Sequence, residues 1–166
     1  MPGDDAISKL KAACDAAYTK NPGSCSNSVW DVIRAIVDAK QPYMKANDLI
    51  DWLGSNWKEV DVEAGAELAR KGVVVVGGLK ATSNGHVIVI YPGPNIDSGG
   101  YDYPYKVKGK ETTLKLRSHG KYPPAMSTSL GSWPGAMSDG DKTVWDPWGT
   151  DANFAKVKFW TPKSAP

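Results

Sequence analysis

Two residues of this chain could do chemistry together. Cys25 stands in Pro22-Gly23-Ser24-Cys25-Ser26-Asn27-Ser28, a glycine-containing turn that runs into an amphipathic segment. A thiol at a helix start lies beside unpaired backbone N–H groups and the positive end of the helix dipole. Those conditions lower a cysteine pKa and favour the thiolate. His86 follows Gly85 and a polar turn and opens an apolar β pattern, so rigid backbone would hold its imidazole at a sheet end. A thiol near a helix N-terminus with a histidine on a neighbouring strand is what nucleophilic Cys–His catalysis requires. Each residue has a plainer explanation when taken singly: a cysteine packed at a capped helix, a satisfied histidine at a strand edge. The pairing, and the Ser and Asn residues around the thiol, favour the reactive reading.

The other candidates are weaker. Cys14, the second of two cysteines, lies on the stripe Ile7, Leu10, Cys14, Ala17 and is expected to be a small buried hydrophobe. The two cysteines have different contexts, and a disulfide between them is not expected. His119, in Ser118-His119-Gly120-Lys121, is expected in an exposed turn. No His, Cys, Asp or Glu residues recur at metal-ligand spacing, and Gly77-Gly78 is not followed by a helix, so neither metal, phosphate loop nor cofactor is expected.

The elements that must position the pair can be read from periodicity. A first helix is expected over 6–18. A second, over about 26–39, carries Val29, Val32, Ile33, Ile36 and Val37 on one face, with Ser24, Ser26 and Asn27 as possible caps. A third is expected over 47–53, closed by Gly54, and a fourth over 61–70, capped by Asp61 and stopped by Gly72. Then the period changes. The β-branched runs 72–79 and 85–91 predict a central antiparallel hairpin buried on both faces. Residues 92–110, rich in Pro, Gly and Tyr, read as a loop or a weakly formed extension. Further strands are expected at 112–116, 126–130, 143–148 and 153–160, the last half-solvated with Ala155, Val157 and Phe159 on one side. Trp30, Trp52, Trp145 and Trp160 are expected in the core, while Tyr101, Tyr103, Tyr105 and Trp133 could line a groove. Helices first and an antiparallel sheet after them define an α+β domain.

Composition sets the outer bounds. The 166 residues, 41% of them hydrophobic, suit one domain over 1–166 with a core that needs no staples. The formal net charge is +2 and no long basic run exists, which argues against nucleic-acid binding. The longest apolar run, 73–79, is too short to span a bilayer. The residues Met1-Pro2-Gly3-Asp4-Asp5 are acidic and lack an apolar region, so no signal peptide is expected.

At this point the chain resembles a known family. Asn21-Pro22-Gly23-Ser24-Cys25-Ser26 before a helix, Lys45-Ala46-Asn47-Asp48-Leu49-Ile50-Asp51-Trp52-Leu53 leading to Trp57, Gly72 to Leu79, and Gly85-His86-Val87-Ile88-Val89-Ile90 look like the peptidoglycan amidase effectors of type VI secretion systems. These are compact relatives of the NlpC/P60 cysteine peptidases, with a papain-like catalytic helix and antiparallel sheet. The resemblance covers about residues 6 to 94 and is most specific around Gly78-Leu79-Lys80 and Gly85-His86-Val87; beyond residue 95 it is loose.

The resemblance implies catalysis by Cys25 and His86, with the backbone N–H of Cys25, and a neighbour, holding the oxyanion. It implies hydrolysis of an amide beside meso-diaminopimelate, foremost the γ-D-glutamyl–diaminopimelate bond, with the diaminopimelate–D-alanine cross-link as the alternative. It implies a monomer made in the cytoplasm, delivered by the secretion machinery into a recipient's periplasm to kill it, and an immunity protein in the producer's periplasm. Relatives place a polar group on the strand after the histidine. Ser127, Thr128 and Asp102 are the candidates here, Ser127 and Thr128 preferred, and a backbone carbonyl would serve as well. A papain-like protease, an acyltransferase or a non-enzymatic module with an aromatic groove are the rival readings.

Overall fold

The computed structural model describes residues 2–99, 102–107, 110–115, 118–130 and 133–165. Four helices and one short strand come first: α1 (Pro2–Lys20), α2 (Cys25–Ile36), α3 (Ala46–Asn56), β1 (Lys58–Val60) and α4 (Val62–Arg70). Then follow β2 (Val76–Leu79), β3 (His86–Ile90), β4 (Ile96–Gly99), β5 (Asp102–Val107), β6 (Lys110–Lys115), β7 (Ser118–Tyr122) and β8 (Pro124–Ser127). A 3₁₀ turn (Pro134–Ala136), β9 (Ser138–Thr143), α5 (Asp151–Phe154) and β10 (Lys158–Thr161) complete the chain. The architecture is α+β around an antiparallel sheet of six strands in the order β1-β10-β2-β3-β8-β9.

The sheet is covered on both faces, and the period of two sorts its side chains. Val76, Val87, Val89, Met126 and Trp160 pack with Leu10, Cys14, Val29, Ile33, Leu49 and Leu53 of α1, α2 and α3. Ile88, Ile90, Ala125 and Phe159 point the other way, against Leu68 and Ala69 of α4 and Val144. This alternation makes the two central runs continuously apolar. It also corrects the half-solvated last strand: Phe159 and Trp160 are both buried, on opposite faces. Gly77 and Gly78 are required for close approach. A Cβ at Gly77 would sit 2.6 Å from Phe159, and one at Gly78 would sit 2.9 Å from Ile50 of α3.

The second half departs from the sequence-based expectation in several places. The Pro- and Gly-rich stretch after residue 92 contains two antiparallel ladders, β4 with β7 and β5 with β6, the second lying within the first along the chain. Residues 118–121, expected as a turn, belong to β7. Residues 143–148 form the end of β9 and a turn, and 153–157 are helix and turn before β10. The strand expected at 126–130 starts and ends earlier, as β8. Short strands rich in Pro, Gly and polar residues leave little trace in side-chain pattern. Of the tryptophans expected in the core, Trp145 and Trp160 are buried and Trp30 and Trp52 partly so. Tyr101 and the side chains of Asp102, Tyr103, Tyr105 and His119 lie outside the described residues. No described helix is long and apolar enough to cross a membrane.

Candidate active site

Cys25 is the first residue of α2, and Ser24 is its N-cap, extended at φ −146° and ψ 104°. The Ser24 hydroxyl accepts from the Asn27 backbone N–H (3.3 Å) and from Asn27 Nδ2 (2.7 Å). A serine cap of this kind satisfies one orphan donor and fixes where the helix begins. The start is also tied to the sheet: Thr128 Oγ1 donates to the Ser24 carbonyl (3.0 Å) and lies 2.6 Å from Ser28 Oγ. Tyr43 completes the surroundings, its hydroxyl 2.8 Å from Ser26 Oγ and its ring edge-on to Trp30.

His86 is the first residue of β3. The turn before it is shaped by Asn47 in the first turn of α3, whose Nδ2 donates to the Ala81 carbonyl (2.8 Å) and whose Oδ1 accepts from the Ala81 N–H (3.2 Å). Gly85 is needed there, because a Cβ would collide with Asn47 Oδ1 and approach the Leu79 carbonyl to 2.8 Å. The β3–β8 register pairs Val89 with Met126 and Ile90 with Ala125. Continued by one step, it puts Ser127 on the same face as His86 and diagonal to it, within reach of a long side chain. His86 Nε2 lies 2.9 Å from Ser127 Oγ, and the Trp148 ring stands edge-on to the imidazole at 5.6 Å.

The Ser127 bonds assign the tautomer. Its hydroxyl is buried and donates to the Ala136 carbonyl at 2.7 Å. A hydroxyl has one proton to give, so toward His86 it is an acceptor, and Nε2 carries the hydrogen. The chain Nε2–H to Ser127 Oγ, then O–H to the Ala136 carbonyl, leaves the lone pair of the neutral imidazole on Nδ1.

Cys25 and His86 line one open cleft of about 840 Å³, together with Ser26, Tyr43, Trp133 and Trp148. Electrostatics modify the sequence-based expectation for the thiol. Burial raises the Cys25 pKa, and hydrogen bonds from the backbone N–H groups of Val87, Ser26 and Cys25 itself pull against that rise without reversing it. Burial therefore raises the pKa of the thiol at this helix start, where a lowered one was expected. Burial also lowers His86, from its ordinary 6.5 to about 4. Burial thus disfavours the charged form of both groups.

Of the five side chains singled out by sequence, Cys25 and His86 line one cleft, Ser127 meets His86, and that of Asp102 lies outside the described residues. Thr128 goes elsewhere: its hydroxyl serves Ser24 and Ser28, the segment that carries Cys25. Trp133, named from composition, lines the cleft, whereas Trp148, Tyr43 and the Ala136 carbonyl were not anticipated. Nothing local marks Trp148 or Ala136, since both reach the site through irregular turns. Cys14 is fully buried in the core, and burial together with the charge of Asp15 pushes its thiol pKa far up.

A thiol at a capped helix start and a histidine whose Nε2 meets Ser127 thus line one cleft of an α+β fold. No family model matches the chain. Over 94 residues it is 34% identical to the peptidoglycan amidase Tse1 of Pseudomonas aeruginosa. That stretch is 53% of this chain and spans 59% of the length of that protein.

Proposed function

We propose that the chain is a peptidoglycan amidase, a hydrolase that cuts an amide of the cell-wall stem peptide by Cys–His nucleophilic catalysis. The observation that carries this reading is the shared cleft of Cys25 and His86, with Ser127 holding Nε2–H so that Nδ1 is the available base. The similarity to the amidase of Pseudomonas aeruginosa supports the substrate class. Residues 1–166 act as one papain-like, NlpC/P60-type domain and as a monomer, and no cofactor takes part.

His86 Nδ1 accepts the Cys25 thiol proton as the sulfur attacks the amide carbonyl carbon. The backbone N–H of Cys25 donates to the developing oxyanion. Ser127 orients the imidazolium through Nε2–H while Ala136 orients Ser127. As the tetrahedral intermediate collapses, the C–N bond breaks and His86 returns its proton to the leaving amine. Water, deprotonated by His86, then attacks the thioester, and Cys25 leaves as thiol. A neutral serine stands behind the imidazole, and burial disfavours the charged histidine at rest.

The bond is the γ-D-glutamyl–diaminopimelate amide, and the context is that of a type VI effector acting in the periplasm of a recipient cell, with a cognate immunity protein protecting the producer. These finer assignments rest on the resemblance of the segments around Cys25 and His86. Mass analysis of the products from a defined disaccharide tetrapeptide and its cross-linked dimer tests them. The reading expects a new diaminopimelate amino terminus. Cleavage confined to the cross-link assigns the diaminopimelate–D-alanine bond, and an intact substrate rules out the amidase.

A further inference from the structure

The cleft is charged in one sense only. Apart from His86, the ionisable side chains of Asp, Glu, Lys or Arg that line it among the described residues are Lys45, Lys80 and Lys156, and no carboxylate is among them. The chain as a whole is nearly balanced, with 20 Lys and Arg against 18 Asp and Glu. The cationic edge is built from three separate places: the N-cap of α3, the end of β2 and the turn after α5. A neighbouring depression of about 410 Å³, which shares Lys80 and Lys156, shows the contrast. There the lysines meet acids: Lys80 Nζ lies 2.9 Å from Asp51 and Lys158 Nζ 3.9 Å from Glu59. Lys45 and Lys156 make no ion pair among the described residues.

We propose that Lys45 and Lys156 bind a carboxylate of the substrate beside the amide that Cys25 attacks, and so set the specificity of the cleft for an acidic peptide. The proposal rests on the amidase reading and deepens it. A γ-glutamyl linkage leaves the α-carboxylate of the glutamyl residue free, and diaminopimelate brings further carboxyl groups, so the scissile bond is flanked by negative charge. An ammonium is a compact, mobile donor suited to meet such a charge from a cleft wall. Ammonium groups lining one cleft also raise the local concentration of an anionic ligand. Lys80 contributes less, because Asp51 already neutralises it. Both effective lysines are exposed, so the gain is modest and sensitive to salt.

The test uses the full chain carrying Cys25→Ala, which binds without turnover. Calorimetry compares a disaccharide tripeptide bearing free carboxylates with the same compound amidated at those carboxylates. The acidic form should bind about tenfold more tightly at low salt, the scale of one well-placed ionic contact. Lys45→Ala with Lys156→Ala should erase that preference, Lys45→Arg with Lys156→Arg should keep it, and Lys80→Ala should change it by less than about twofold. Equal affinity for the two forms, binding of neither, a preference that survives the double alanine variant, or a Lys80→Ala loss as large as that of the double variant overturns the assignment. Failure of the wild-type chain to cut the defined substrate would sink the amidase reading instead. The two failures are therefore distinguishable.

Discussion

The two cysteines of this chain occupy two contrasting regions. Cys14 lies inside α1, sealed in the core, with its thiol pKa driven far up by burial and by Asp15. Cys25 begins α2 eleven positions later (25 − 14), lines a cleft, and has backbone N–H groups of Val87, Ser26 and Cys25 pulling against the burial that raises it. Burial raises the pKa of both thiols, so a lowered pKa is not what separates them. Position separates them: one sulfur lines the cleft that His86 also lines, and the other is sealed in the core. On the mechanism proposed above, activation at Cys25 is a matter of proton transfer to His86 during attack and not of a stored thiolate.

The comparison can be broken at several points. The largest effect expected is on turnover: Cys25→Ala should lower kcat by about 10⁴-fold or more, as loss of a nucleophile does, whereas Cys14→Ala should leave kcat within about twofold and cost ~1–2 kcal/mol of stability by opening a small void in the core. Steady-state kinetics and denaturant titration check the two halves. Next, iodoacetamide should modify Cys25 about 10³-fold faster than Cys14, because Cys14 is reached only through opening of a fold stable by several kcal/mol. Peptide mapping of the time course reads the ratio, and comparable rates would erase the distinction. The Cys25 rate should also climb with pH above neutrality, as a raised thiol pKa demands.

His86 sharpens the contrast through pH. Its folded pKa is about 4 against an ordinary 6.5. Between those values the unfolded chain holds a proton that the folded chain does not, so stability rises with pH across this window and is lost as pH falls through it. The histidine's share amounts to at most ~3 kcal/mol. Denaturant titrations from pH 4 to 7 should show that slope in the wild type and a shallower one in His86→Gln; parallel curves would contradict the burial of a neutral imidazole. The smallest effect is expected from Ser127→Ala, which removes the acceptor of Nε2–H. It should lower kcat about tenfold with KM unchanged, the scale of one lost hydrogen bond in a buried chain. It should also alter the pH profile of kcat, which a merely structural loss would not move. An unchanged kcat and profile would return the orienting role to another group.

Much of this was legible in the sequence because the site hangs on regular elements. The turn before Cys25 and the apolar face of α2 locate a helix start, and the β-branched runs locate β2 and β3 with His86 at an edge. Ser127 was legible only as one of a set. Choosing it over Thr128 takes the β3–β8 register, which puts alternate residues on opposite faces: Ser127 shares the face of His86, and Thr128 leaves the strand toward α2. The direction of the Cys25 pKa was not legible, since a helix start lowers it and burial raises it, and burial is a tertiary quantity. Trp148 and the Ala136 carbonyl arrive from turns whose geometry has no period to read. Of the ladders β4–β7 and β5–β6, only β6 was anticipated, as the strand expected at 112–116, because Pro, Gly and polar residues disguise the other three strands.

The central claim is that the thiol at the start of α2, and not the one inside α1, is the nucleophile of a peptidoglycan amidase. Purified sacculi incubated with the wild-type chain, with Cys14→Ala and with Cys25→Ala test it most directly, read by chromatography and mass of the released muropeptides. The account predicts new fragments from the first two and none from the third. Fragments released by Cys25→Ala, or none released by the wild type, would contradict it.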